Sequence, residues 1–311
     1  MNIWLDLELR KDIDDIITLL IALNNHKKSI KIISINNPSI NELKLLNSLI
    51  IKKYNSENKP KIIISGEITE YKDEEDVNKV FLSLIEEKII IDYIKLEEFL
   101  KQSNNLKEYI YFNGGSLYNL SKILEKEEEI TAYIQGGYVG NNIIPKEIAL
   151  KKFEKREAVP SWNLNLDENA TYKILNSKKA NLYFISKNIC HSAIITFEDI
   201  SMLETEIADL LYKYFKIQKE KNRKKAMHDV LAYFAIFFKS IIEFKEVELK
   251  QIKNKNKRTT YKSEINKKSN IKISINYDYK KFKSLFLKSI LDKKETKNDR
   301  NNKKINRNIH S

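Results

Sequence analysis

The sequence predicts an α/β fold: a doubly wound, mainly parallel sheet flanked by helices. Three observations predict it. Short runs rich in Ile and aromatic residues alternate along the chain with longer stretches that are apolar at helical spacing. The short runs read as near-continuous apolar segments, as strands covered on both faces require. Five of the six glycines fall within residues 114–140, in two groups that directly follow predicted strands.

The elements follow in order. "NIWLDL" (2–7) is a buried strand, and "DDIITLLIALNN" (14–25) a helix whose first acids, Asp14 and Asp15, suit the positive end of its dipole. "IKIISI" (30–35) is a second strand, followed by a helix over 40–53. "KIIIS" (61–65), "EYIYFN" (108–113) and "TAYIQ" (131–135) are further strands, with a helix over 116–127 between the last two. "NLYFIS" (181–186) comes later, and "AMHDVLAYFAIFF" (226–238) is a strongly apolar helix headed by His228 and Asp229. Beyond it, 247–252, 258–264 and 270–277 are β segments joined by a Lys/Asn loop. "YKKFKSLFLKSIL" (279–291) is amphipathic, with Phe282, Leu285, Phe286 and Ile290 on one face. One domain over 1–292 and a basic disordered tail over 293–311 are expected. No internal repeat is evident.

The 311 residues carry a formal charge of +13, unevenly placed. Residues 250–311 hold 20 Lys/Arg against 5 Asp/Glu, whereas residues 1–249 hold 36 against 38. The body is therefore almost neutral, and the basicity belongs to a solvated C-terminal part rather than to a nucleic-acid surface. That part has no aromatic platform beyond Tyr277, Tyr279 and Phe282, so nucleic acid is not expected as a partner. Cys190 is the sole cysteine, which excludes an intrachain disulfide and fits a reducing compartment. No apolar stretch reaches the roughly 18 residues of a spanning helix, and the first residues lack the basic n-region and apolar core of a signal peptide. A soluble, cytoplasmic protein without a membrane partner is expected.

The chemistry concentrates in "WLDLELRKDIDD" (4–15), where Asp6, Glu8, Asp12, Asp14 and Asp15 crowd a predicted strand end. Ligands of doubly wound sheets bind at such ends. Asp6 and Glu8 are two apart on a strand, so their side chains share one direction, toward the crevice if the strand stops there. Clustered carboxylates repel one another unless a cation sits among them, and hard oxygen donors point to Ca²⁺ or Mg²⁺. Asp229 would add an oxygen ligand and His228 a neighbouring proton donor. The glycine stretches "NGGS" (113–116) and "QGGYVGNN" (135–142) would let backbone approach a ligand. His191, just after a strand, is ordinarily structural.

Six segments together resemble the inosine/uridine-preferring nucleoside hydrolases. "DLELRKDIDD" (6–15) is similar to the family's D-x-D-x-G-x-D-x-D-D start. "NGGSLYNLSKIL" (113–124) is similar to its G-P-L-T-N-L segment and "YIQGGYVGNN" (133–142) to M-G-G…G-N. "SWNLNLDENATYKIL" (161–175) is similar to E-F-N-x-x-x-D-P-E-A-A, "NICHSAIIT" (188–196) to D-V-T-H-x-x-L-T, and "MHDVLAYFA" (227–235) to H-D-P-L-A-V-A. All occur in the family's order, and the resemblance covers about residues 1–292. It implies a nucleoside hydrolase-like fold, bound Ca²⁺, and hydrolysis of the N-glycosidic bond of ribonucleosides to free base and ribose in nucleoside salvage. Carried over by position, Glu8, Asp15 and Asp229 would be metal ligands, joined by the Gly114 carbonyl. Glu8 would also be the general base. Asp14, Asn37, Asn141 and Asn163 would hold ribose hydroxyls, with Asn37 placed by "INNPSINEL" (35–43). Trp162 would join the substrate-binding set, and His228 would face the leaving base, giving Glu8, His228 and Asp14 as the catalytic group. A homo-oligomer, dimer or tetramer, is expected.

The sequence departs from the family's pattern at named places. Glu8 stands at an Asp position, Arg10 at a Gly, and Ser161 at an acid. About a dozen extra residues, "KEIALKKFEKREA", separate Asn142 from "PSWN", and "SGEITEYKDEEDVNKVF" (65–81) replaces H-G-x-D-G-L-G. The alternative is therefore a ribosyl- or nucleoside-binding relative with weak or no hydrolysis. A phosphatase built on Asp6-x-Glu8 lacks the Thr that such enzymes carry where Arg10 stands.

Overall fold

The computed structural model describes residues 1–9, 12–54, 58–70, 80–86, 88–126, 129–218, 223–253 and 256–291. Arg10, most of the 65–81 segment, the domain boundary at 292 and the basic tail lie outside the described residues.

Ten strands form one sheet. In chain order they are β1 (Asn2–Leu7), β2 (Ile30–Asn36), β3 (Lys61–Ser65), β4 (Ile94–Lys95), β5 (Tyr109–Asn113), β6 (Ile130–Gln135) and β7 (Ala180–Ile185). After the small β8–β9 pair (Ile194–Thr196 and Lys224–Ala226) come β10 (Ile242–Lys253), β11 (Thr259–Ile265) and β12 (Ile271–Tyr277). The spatial order is β11-β10-β12-β7-β6-β5-β1-β2-β3-β4. Every pairing from β12 through β7, β6, β5, β1, β2 and β3 to β4 is parallel, and β10 is antiparallel to both β12 and β11. The chain winds outward from β1 through β4, then returns to the other flank of β1 with β5. Strand order thus reverses between β1 and β5, and such a switch point opens a crevice at the C-terminal strand ends.

Local sequence explains the elements nearest that crevice. The helix Ile13–Asn25 is buried from Ile13 through Leu23, so its apolar side chains cover its whole circumference. It packs against the helices His228–Phe237, Glu206–Ile217 and Tyr279–Ile290. Each fully buried Ile or Leu there contributes about 1.5–3 kcal/mol relative to exposure. The helix Ile40–Lys53 starts at Ser39 because of a capping box: Ser39 Oγ accepts from Glu42 N (3.2 Å), and Glu42 Oε2 accepts from Ser39 N (2.6 Å). The late β segments prove to be part of the main sheet, where β12 joins β7. β10 begins at Ile242, five residues before the expected start. The expected helix over 116–127 runs Tyr118–Glu125. On the final helix Phe282, Phe286 and Ile290 are buried, with Leu285 partly so. No helix among the described residues is long and apolar enough to cross a membrane.

Candidate active site

A cavity of about 310 Å³ opens at the switch point. Its lining carries five carboxylates, Glu8, Asp12, Asp14, Asp15 and Asp229, all from the β1 end and the starts of the two helices packed behind it. Gly114 follows β5 and Gln135 ends β6. Ser161, Trp162 and Asn163 come from the short helix Trp162–Leu166 and its N-cap, and Lys187 and His191 follow β7.

Asp14, Asp15 and Asp229 each offer an oxygen such that all three lie within 4.8 Å of one another, and all three residues are buried. Asp14 Oδ2 accepts from the backbone N–H groups of His228 (2.9 Å) and Asp229 (3.2 Å). It therefore caps the helix that carries Asp229, where an acid complements the dipole. Asp15 Oδ1 accepts from Glu8 N (3.2 Å), which ties the loop back to the cluster. Asp229 Oδ1 is buried without a hydrogen-bond partner among the described residues. Burial, then repulsion by neighbouring carboxylates, pushes the Asp15 and Asp229 carboxyls well above the usual carboxylate range. At Gly114 a Cβ would stand 3.1 Å from Asp229 Oδ1 and 3.2 Å from Asp15 Oδ1, so glycine keeps this space open. An unpartnered buried oxygen, an all-oxygen donor set and mutually repelling carboxylates fit a hard divalent cation such as Ca²⁺. Lys225 on β9 is the nearby counter-charge, 2.6 Å from Asp12 Oδ2 and 3.9 Å from Asp14 Oδ1.

Asp6 does not reach the crevice, contrary to the expectation that it and Glu8 point there together. It is buried beneath the strand end, where its oxygens accept from Ser34 Oγ (2.6 Å), Tyr111 Oη (2.6 Å), Asn119 Nδ2 (2.7 Å) and Asn113 Nδ2 (3.0 Å). Its neighbours in register on β2 and β5 are Ser34 and Asn113, so four donors converge on it from adjacent elements. Burial still pushes its carboxyl up to about 6, with the four hydrogen bonds opposing.

Glu8 lies one residue beyond β1, half-buried on the cavity wall and outside the set of three converging carboxylates. Its Oε2 accepts from Trp162 Nε1 (3.3 Å), and Trp162 is 56% exposed at the mouth. His228 lines the cavity with a buried Nε2 that has no partner. Its ring packs edge-on against His191 at 4.8 Å, and His191 packs on Phe153 of the extra segment at 5.8 Å. Burial pushes His228 down to about 3 and His191 to about 2, with nearby cationic side chains adding to it. Both rings are therefore neutral near pH 7, and His228 can serve a departing base as a hydrogen-bond donor rather than as a reservoir of imidazolium.

Of the expected ribose contacts, the structure brings Asp14 and Asn163 to the cavity but not Asn37 or Asn141. Asn163 Nδ2 donates to Gly114 O (3.0 Å) and to Gln135 Oε1 (2.8 Å) and O (3.2 Å), so the Gly114 carbonyl expected as a metal ligand also holds Asn163. Asn37 is exposed in a left-handed conformation (φ 48°), and its Oδ1 accepts from Glu67 N (3.2 Å). Asn141 is spent on its own loop, with Nδ2 donating to Phe153 O (2.6 Å) and Glu154 O (2.8 Å). Gln135, Lys187 and Lys225 were not singled out from sequence. Gln135 had a signal, as the last residue of a strand before Gly-Gly; the two lysines had none among 56 Lys/Arg.

No family model matches the sequence. An uncharacterized protein of Aquifex aeolicus (strain VF5) is 35% identical over 178 residues. That alignment covers 54% of this chain and 59% of the relative, so the chain spans less than two thirds of that relative's length. Solved structures match over almost the whole chain. A plant nucleoside hydrolase superposes with a TM-score of 0.69 at 16% identity, covering 93% of this chain and 98% of the other. A purine-preferring ribonucleoside hydrolase from Gardnerella vaginalis gives 0.65 at 17%, over 93% and 98% of the two chains. An inosine-uridine preferring nucleoside hydrolase from Bacillus anthracis gives 0.63 at 11%, over 93% and 100%. The fold is that of the nucleoside hydrolases.

Proposed function

We propose that the protein hydrolyses the N-glycosidic bond of ribonucleosides, giving free base and ribose, with Ca²⁺ held by Asp14, Asp15 and Asp229. The observation that carries this reading is the buried carboxylate cluster, with the unpartnered Asp229 Oδ1, at the switch point of a nucleoside hydrolase fold. Breaking the bond builds positive charge on the ribose ring oxygen and C1′. Fixed carboxylates on the cavity wall stabilise that charge as it develops. Glu8, steadied by the Trp162 indole N–H, accepts the proton of the attacking water. Asn163, tied by its nitrogen to Gly114 and Gln135, presents Oδ1 to a ribose hydroxyl. His228 donates a hydrogen bond to the departing base, and the exposed face of Trp162 covers the substrate at the mouth. Bound Ca²⁺ would supply the positive charge that polarises ribose hydroxyls and makes water more acidic. Attack by water from the face opposite the base gives inversion at C1′. Nucleoside salvage in the cytoplasm, by a homo-oligomer, is the setting this reading implies.

The position of Glu8 outside the carboxylate cluster favours a second reading, a ribosyl-binding protein with little hydrolysis. Base release from a panel of purine, pyrimidine and modified nucleosides decides between them. The first reading expects release from at least one nucleoside, loss with chelator, recovery with Ca²⁺, and a fall of about 10²-fold or more in Asp14→Ala. The binding reading expects no release from any nucleoside together with a ribose-dependent rise in melting temperature. Release unchanged in Asp14→Ala would remove the site.

A further inference from the structure

The cavity has two cationic neighbours in different circumstances. Lys225 has its counter-charges, Asp12 at 2.6 Å and Asp14 at 3.9 Å. Lys187, on the cavity lining, has no carboxylate partner among the described residues. Among the described residues its ammonium donates one hydrogen bond, from Nζ to the backbone oxygen of Pro160 (2.9 Å), which leaves two of three N–H donors unspent. Burial, and after it the charges of Lys152 and Arg258, press the ammonium toward neutrality. The Cys190 thiol, pushed up to about 12, is neutral and gives it no support. A half-buried cation among like charges is costly unless an anion joins it.

Its neighbours suit that anion. Pro160 precedes Ser161, a residue of the cavity lining whose Oγ accepts from Gly137 N (3.1 Å), so its own hydroxyl proton remains to donate. Lys152, on the extra segment, stands over the Phe153 ring (5.1 Å), the ring that packs on His191. Lys187 follows β7, three strands from β1, so about 14 Å separates its strand end from that of the acidic wall before the side chains reach inward. A ribose with its ring hydroxyls at the carboxylates and its base at His228 has one substituent left, C5′, to extend toward Ser161 and Lys187. An anion carried there meets cations and donors; turned round, it would meet five carboxylates.

The geometry points to a phosphate subsite formed by Lys187 and Ser161, so that the preferred substrates are N-glycosides of ribose 5-phosphate, foremost nucleoside 5′-monophosphates. This inference rests on the N-ribohydrolase reading of the same cavity. The reaction adds one water: the C1′–N bond breaks with its electron pair going to the base, water oxygen bonds to C1′ as Glu8 takes one water proton, and the base takes a proton from solvent, to which Glu8 returns its own. Base and ribose 5-phosphate leave, and the phosphate ester is untouched.

The test measures kcat/KM of the full chain for a nucleoside and its 5′-monophosphate, in wild type, Lys187→Met and Lys187→Arg. The subsite predicts at least tenfold preference for the monophosphate in wild type. The preference falls toward unity in Lys187→Met and returns in part in Lys187→Arg, because the ratio within each variant cancels any general loss of fold. Equal or better use of the plain nucleoside by wild type, or an unchanged ratio in Lys187→Met, overturns it. Thermal melting with ribose, ribose 5-phosphate or inorganic phosphate keeps it separate from the hydrolysis reading. If no substrate releases base, hydrolysis fails. A larger shift with ribose 5-phosphate than with ribose or phosphate, lost in Lys187→Met, would still support the subsite. Equal shifts with ribose 5-phosphate and inorganic phosphate would overturn it, since a general anion site would then suffice.

Discussion

Asp6 and Asp229 are both buried at the same end of the sheet, 2% and 4% exposed, yet their surroundings are opposite. Asp6 receives four donors from three neighbouring elements, and its carboxyl is pushed up only to about 6. Asp229 keeps one oxygen with no hydrogen-bond partner among the described residues, beside two more acids, and burial and their repulsion push its carboxyl well above the usual range. The first arrangement is complete in the folded chain alone. The second leaves a buried oxygen that the cation proposed above would satisfy. Burial of charge therefore separates into a structural use and a functional one by the count of donors, not by depth.

Breaking the Asp6 network should have the largest effect. Asp6→Ala strands four buried donors and is expected to cost about 3–5 kcal/mol in urea unfolding; a loss under 1 kcal/mol would show that the network is incidental. Asp229→Asn should behave oppositely. Base release should fall by about 10²–10³, while the chelator-treated variant melts at or above the wild-type temperature, because one of three mutually repelling buried acids has been removed. A markedly lower melting temperature would make Asp229 structural.

The pH response sharpens the same contrast. Asp6, Asp15 and Asp229 all hold their protons more tightly folded than unfolded. Their contribution to stability is therefore full below about pH 4 and is lost as pH rises through the folded values. For Asp6 that window is about pH 4–6 and is worth about 3 kcal/mol. Urea unfolding in chelator should show this decline from Asp6 and from the cluster together, and Ca²⁺ should remove the cluster's part while leaving the Asp6 part. The smallest effect belongs to Lys225→Met. Asp12 is 38% exposed but the Lys225 side chain only 10%, so losing this charge-assisted hydrogen bond should cost about 1.5–3 kcal/mol by the same unfolding assay.

The contrast also marks where sequence reading stopped. The strands and long helices around the site were legible, because apolar runs and helical spacing of Ile and Leu report burial directly. The small β8–β9 pair and the helix Glu206–Ile217 were not placed; the former is three residues a side and joins segments about 30 apart in sequence. Among the acids, spacing along β1 suggested that Asp6 and Glu8 serve one purpose. Only the register that brings Ser34 and Asn113 beside Asp6 separates them. Asn141 lies off the cavity lining, its amide nitrogen bonded to backbone oxygens of the extra segment. Lys187 is invisible in sequence, since only the fold shows that it lines the cavity with no carboxylate partner among the described residues.

Titration calorimetry of Ca²⁺ into chelator-stripped protein tests the central claim most directly. The account predicts one ion bound per chain in wild type and in Lys225→Met, and none in Asp229→Asn. No binding to wild type, or binding undiminished by Asp229→Asn, would contradict it.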